Sequence, residues 1–228
     1  MMLMNSVFQV DLPQKATSPP NTAIWRWITR LALAAILLFV TYVGLRAVSE
    51  AFDSGAFPEA LAIKVELLPM IFPLHMIAGG VALLLVPTTI FLRGTRFHKV
   101  AGRVAAVDIL VAGLTAPFVA WSAPVTLVSA AGFTAQSIVW MGLLAAGVWN
   151  IRRGNVAAHQ NCMILMAAVT SGALFFRIYL ALWSHFGDSR YFKTFYAGNA
   201  WIAWGLPLIM AAVLITFRPL AAQRRLRL

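Results

Sequence analysis

The sequence predicts an all-α, polytopic integral membrane protein: a bundle of six transmembrane helices with both termini cytoplasmic. Composition is the first ground. Of 228 residues, 61% are hydrophobic and 11% charged, and the mean hydropathy is +0.82. Soluble domains average about 45–50% apolar and about 25% charged residues, so a water-soluble fold would lack polar surface. The second ground is a set of six continuous apolar runs of roughly 20 residues, each enough to cross a hydrocarbon core. The third is the uneven placement of the 18 lysines and arginines between those runs. The runs do not alternate in polarity as barrel strands do, and the lone Cys162 excludes a disulfide scaffold. So apolar a chain is neither disordered nor collagen-like.

Segment 1–23 carries Asp11, Pro13, Lys15, Pro19 and Pro20 and no apolar run. It lacks the charged-then-apolar order and small-residue cleavage site of a signal peptide, and reads as a flexible cytoplasmic tail. The transmembrane domain is expected over 24–218, with spans at 27–48, 67–92, 104–123, 125–148, 162–183 and 200–217. A basic cytoplasmic tail follows at 219–228. Span two holds Pro69, Pro73, Pro87 and the pair Gly79-Gly80. Proline removes a helix donor, so kinks are expected near both its ends. In span five, Ala167/Ser171 and Ala168/Gly172 are small residues four apart, a spacing that lets a neighbouring helix approach closely. Spans two and five are therefore expected inside the bundle.

With the N-terminus inside, thirteen of the 18 basic residues fall on inner segments, four (Arg46, Lys64, Arg190, Lys193) on outer ones, and Arg177 within span five. Lysine and arginine collect in cytoplasmic loops, which sets the orientation. The net charge of +11 thus reports topology and not nucleic acid. Trp25 and Trp27 at an inner boundary, and Trp183 and Trp201 at outer ones, read as interfacial anchors. No aromatic stacking surface for a nucleic acid is present. Arg224-Arg225-Leu226-Arg227 suits anionic lipid headgroups at the inner face.

Depth follows from counting about 1.5 Å per residue along each span. On that scale Arg177 lies roughly 23 Å from the inner end, His75 roughly 25 Å and Gln136 roughly 18 Å. These three are expected to share a polar layer in the outer half of the bilayer, with Tyr179 close by. An arginine there should face the bundle interior. It serves either a binding or redox site, or a brace that caps carbonyls freed near Pro73. Asp108, about four residues into span three, is expected to pair with Arg103 or Arg30. At the inner face, His98 and His159 follow basic loops with Arg96, Lys99, Arg103, Arg152 and Arg153 around them. Two imidazoles ringed by cations suit an anionic ligand: haem propionates, lipid phosphate or an anionic metabolite. Ordinary interface chemistry is the alternative. His185 lies about 10 Å further out than His75, so that pair fails as ligands of one haem unless span five bends strongly. No HExxH, CxxC, phosphate-cradling glycine loop or GxSxG elbow appears, so no conventional hydrolase or kinase site is expected.

Several segments resemble the bacterial membrane-protein family DUF2306, a domain of unknown function. They are His75 with Gly79-Gly80; Arg96-Phe-His98-Lys99-Val-Ala-Gly102-Arg103; His159 leading into Cys162-Met163; Phe176-Arg177-Ile-Tyr179; and a last helix with Trp201, Trp204 and Pro207. The similarity covers 74–214. Where the family usually follows the second histidine with a basic residue and Trp-Met-x-Arg, this chain has Gln160, Cys162, Met163 and Leu165. The resemblance implies a bacterial cytoplasmic membrane and a layout similar to small b-type cytochromes, an analogy of fold alone. Three function classes follow. The first is a small-molecule binding or transport site at His75, Gln136, Arg177 and Tyr179. The second is an electron-transfer protein holding b-type haem on His98 and His159. The third is an assembly subunit without chemistry of its own, contacting another protein or a second copy.

Overall fold

The structure is a computed structural model and describes residues 21–51, 53, 55 and 59–225. Most of the expected N-terminal tail and the last three residues of the expected C-terminal one lie outside the described residues. The part within them is helical, since helix α1 begins at Asn21 and the last helix reaches Arg225. Two compact units divide the chain, Met1–Leu38 and Phe39–Leu228. In the first, the opening turns of α1 (Asn21–Glu50) expose Ile24, Trp27, Leu31, Leu33 and Ile36, and the Arg30 guanidinium lies 5.4 Å over the Trp27 ring.

The second unit holds the rest of α1 and then α2 (Glu59–Leu67), α3 (Ile71–Phe91), α4 (His98–Trp121), α5 (Leu127–Arg152), α6 (Val156–Thr170), α7 (Gly172–Phe186) and α8 (Phe192–Arg225). No strand occurs among the described residues. Six helical stretches among them are long and apolar enough to cross a membrane, with α6 and α7 together making the fifth. Helices suit that setting because each satisfies its own backbone where no water can. Consecutive helices from α3 to α6 pack as antiparallel neighbours, and α8 returns against α5, α6 and α7. The lipid face is plain on α4, where Val100, Val104, Val107, Leu110, Leu114, Phe118 and Trp121 are exposed at steps of three and four.

The structure moves several expected boundaries. Span two begins at Ile71, because Pro69 sits in the turn that separates α3 from the short α2. The sequence reading had assigned no helix to that outer segment. Pro73 falls in the first turn of α3, where a missing donor costs nothing, and Pro87 lies inside the helix. Spans three and five start earlier, at His98 and Val156, which puts both inner-face histidines on helices. Span five is interrupted at Ser171, a Ser/Gly kink with no proline to announce it. Span six begins upstream, where Lys193 and Asn199 dilute an otherwise aromatic stretch.

Local signals explain the ends. Thr126 and Ser129 form a capping box at the start of α5, and the Asn155 side chain accepts from Ala158 N at the start of α6. The turns before α4 and α6 place Gly94 and Gly154 at φ +83° and +77°, a region where only glycine is unstrained.

Two apolar clusters hold the unit together. Ala82, Val86, Ile109, Leu144 and Met166 bring α3, α4, α5 and α6 to one centre. Val43, Leu83 and Leu174 join α1, α3 and α7. Between α1 and α3 the backbones nearly touch: a Cβ on Gly80 would stand 2.6 Å from Gly44 O, and one on Gly44 2.9 Å from Gly80 O. Gly79 has nothing within 4 Å. Gly80→Ala should therefore lower the melting temperature in detergent by several degrees, since overpacking costs about 1–3 kcal/mol and each kcal/mol is worth about 2–4 °C at this size. Gly79→Ala should leave it unchanged. Equal melting curves for the two variants would refute the close α1–α3 approach.

Candidate functional site

A cavity of about 910 Å³ opens within the second unit, walled by α1, α3, α4, α5, α7 and α8 and rimmed by Lys64 of α2. His75, Gln136 and Arg177 all line it. Each is directed by a bond to backbone or hydroxyl. His75 Nδ1 lies 3.1 Å from Ala112 O and 3.2 Å from Thr115 Oγ1, so α4 fixes the ring of α3. Gln136 Nε2 donates to Val169 O at 3.2 Å, beside the interruption in span five. Gly172 makes that approach feasible: a Cβ there would stand 3.0 Å from Gln136 Nε2 and 2.6 Å from Trp204 Cβ. Arg177 donates from Nη1 to Ala173 O at 2.9 Å, one turn back on its own helix.

Several expectations change here. The brace onto carbonyls freed near Pro73 is not formed, because Arg177 spends its bond within α7 and His75 turns to α4. Tyr179 lies outside this wall and lines a smaller cavity of about 330 Å³ with Trp183, Phe195 and Asn199. Two helix positions turn a side chain through about 200°, so Tyr179 and Arg177 cannot share a face. The phenols that do reach the large cavity belong to Tyr42 and Tyr196. Asp108 makes no ion pair with Arg103; its Oδ2 is buried without a hydrogen bond. The ion pairs among the described residues are Arg46–Glu50 and Arg190–Asp188. The second pair is exposed, and Arg190 holds the Asp188 carboxyl below its usual range.

At the other end of the helices, His98 Nδ1 lies 2.9 Å from Thr89 O and His159 Nδ1 2.9 Å from Gly147 O. Each ring closes its own hairpin, α3–α4 or α5–α6. A ring so held keeps Nε2 for a metal, but two-ring ligation also needs a slot between them. Neither ring lines the large or the small cavity, and the apolar cluster around Val86, Ile109 and Met166 packs the interior between those hairpins. The arrangement does not fit a haem. No group of three metal-ligating side chains occurs among the described residues. Arg96, Lys99, Arg103, Arg152 and Arg153 are all exposed around these hairpins; Arg96 leans on Phe97 and Arg153 on Trp149.

Charge counting on the loops missed the rest of the large cavity. Arg46 and Glu50, one turn apart on α1, pair within its wall. Their i,i+4 spacing at the end of an apolar run was the available signal. Lys64 is only 5% exposed and has no carboxylate partner among the described residues. Its Nζ donates to Val119 O at 2.7 Å and Ser122 O at 2.6 Å, fastening α2 to the end of α4. There Ala123 stands at φ +44°, a strained value for a residue with a Cβ.

Burial pushes the Lys64 ammonium below its usual value of 10.5. The unfolded chain therefore binds more protons than the folded one between the lowered value and 10.5, and stability rises with pH through that window. The neutral amine still has two donors for two carbonyls. The melting temperature of the wild type should climb relative to Lys64→Met as pH is raised toward 10.5. Parallel curves for the two proteins would refute the buried amine.

No curated protein and no solved structure matches the chain. A family model does, over residues 72–215, a range that takes in α3 to α7, most of α8 and every polar wall residue except those of α1 and α2. With six membrane-length helices around that cavity, the chain belongs to the family described as predicted membrane protein (DUF2306), and it is a multi-pass membrane protein.

Proposed function

We propose that the large cavity is the binding site of a small-molecule binding or transport protein, and that its ligand has an apolar body and an anionic or strongly accepting head. One observation carries this reading. Arg177 lines an otherwise mostly apolar wall with a single hydrogen bond, to its own helix, and no ion pair among the described residues. A guanidinium has five donors in a planar fork. Leaving most of them unused in the bilayer is costly, and intramembrane charges of this kind mark substrate sites. Glu50, the acidic group whose field reaches Arg177, is already paired with Arg46. Gln136, Tyr196 and His75 add polar points around the same space.

The test is a thermal-shift series on the full chain in detergent with apolar carboxylates and the alcohols of the same skeletons. At about a hundredfold excess over Kd, a true ligand raises stability by about 2.7 kcal/mol, a shift of about 5–10 °C at this size. The carboxylates should give it and the alcohols should not. Arg177→Leu should fold with a similar unliganded melting point, since apolar replacement of a buried ion is often tolerated, and should lose the shift. A carboxylate shift that survives in Arg177→Leu would overturn the assignment, as would the absence of a shift in the wild type.

We also propose that both termini face the cytoplasm of a bacterial inner membrane, with the exposed arginines and lysines of the α3–α4 and α5–α6 turns against anionic headgroups. The thirteen-to-four basic asymmetry supports it. A reporter active only outside the membrane should be silent when fused after Leu228 and active when inserted near Gly55. The reverse pattern would invert the topology.

A further inference from the structure

We infer that the cavity fills sideways from the bilayer, through an opening between α1 and α7, and that its ligand is an acyl chain ending in an oxyanion. The inference rests on the reading of the cavity as a ligand site and names how and by what it is occupied. Its ground is where the wall is open. Six described wall residues are exposed: Phe39, Tyr42 and Arg46 on α1, and Ala181, Leu182 and His185 on α7. The wall residues of α3, α4, α5 and α8 are all buried or half-buried. Among the described wall residues, exposure is thus confined to α1 and α7.

That seam lies at membrane depth. Phe39 and Tyr42 are about 16 and 12 Å along α1 from its end at Glu50, and both α1 and α7 belong to membrane-length helices. Phe39 is 43% exposed, Tyr42 57% and Leu182 51%, so the deeper part of the mouth is apolar. Its shallow end carries Arg46 and His185. An amphiphile lying in the leaflet on the α2 side presents the same order, tail deep and head shallow.

Charge selects the head. The groups facing the cavity are Arg46, Glu50, Lys64, His75, Arg177 and His185, together with the phenols of Tyr42 and Tyr196. Arg46 and Glu50 pair with each other, and neither Arg177 nor Lys64 has an ion pair of its own among the described residues. A carboxylate or phosphate can take a guanidinium fork in bidentate fashion. The rings of Phe133, Phe176 and Trp204 offer the chain an apolar lining. The volume of about 910 Å³ falls in the range of small-molecule sites, about 300–1,000 Å³. A free fatty acid and an anionic phospholipid share this chemistry, and the experiment separates them.

Full-length protein in phosphatidylcholine nanodiscs is cross-linked with photoactivatable palmitate, with the matching alcohol and with photoactivatable phosphatidic acid, and labelled residues are read by mass spectrometry. Expected is saturable labelling around Phe176 and Tyr196 by palmitate or by phosphatidic acid, whichever is the source, and not by the alcohol. Arg177→Gln should weaken it by about tenfold, the loss of about one charge-assisted bond. Ala181→Trp, and independently Leu182→Trp, narrow the seam at exposed positions; they should slow labelling several-fold. A fourth probe, a short water-soluble photoactivatable benzoate, separates the two claims. If the benzoate labels the cavity in an Arg177-dependent way while neither tryptophan variant slows palmitate or phosphatidic acid, the lateral route falls and the binding site stands. If no probe gives Arg177-dependent labelling, both fall.

Discussion

A guanidinium held inside a membrane is the constraint around which the α2 end of this bundle is organised. Arg177 cannot be hydrated by bulk water there and cannot be left among hydrocarbon side chains alone. The bundle answers by opening a space beside it instead of closing on it. Toward the other face, Ile109, Val169 and Met166 are buried in close packing. Toward α2, the helices part, and Arg46 and Glu50 of α1, His75 of α3, Gln136 of α5 and Tyr196 of α8 line the gap. Small residues set the limits of that space: Gly80 holds α1 against α3 on one side, and Gly172 admits Trp204 and Gln136 on another.

Much of this was legible from residue order because bilayers reward continuous apolar runs, and five of the six spans differ from their expected limits mainly at the ends. What sequence patterns did not carry is instructive. The break at Ser171–Gly172 hides inside an unbroken apolar run, since serine and glycine cost hydropathy little. Helix α2 was hidden by length, being too short to span and too charged to attract notice. Depth counting brought His75, Gln136 and Arg177 to one level, and the structure brings them to one cavity. It gave no information about azimuth, and so grouped Tyr179 with Arg177 although the two point oppositely. Lys64 and Glu50 went unrecognised for a related reason: charges near the ends of spans are normally solvated, and only tertiary packing turns these two inward.

The α3–α4 and α5–α6 hairpins show how a resemblance in residues can point to chemistry that packing does not support. His98 and His159 each follow a basic turn with a left-handed glycine, and each returns a bond to a carbonyl of the preceding helix. Repetition of that device explains why imidazoles recur at one depth. A histidine can serve there as a clasp because one ring nitrogen is enough to close the hairpin.

If the cavity takes its ligand as proposed, the position of the exposed wall residues also sets the concentration scale of that binding. A site that meets water responds to molarity in solution. A site whose mouth is formed by Phe39, Tyr42 and Leu182 responds to mole fraction within the leaflet, and bulk lipid chains are its standing competitor. Adding inert lipid at fixed aqueous content would dilute the occupant and empty the cavity. The same protein would then register the composition of its own membrane, with occupancy set by how crowded the leaflet is with charged single species among neutral ones.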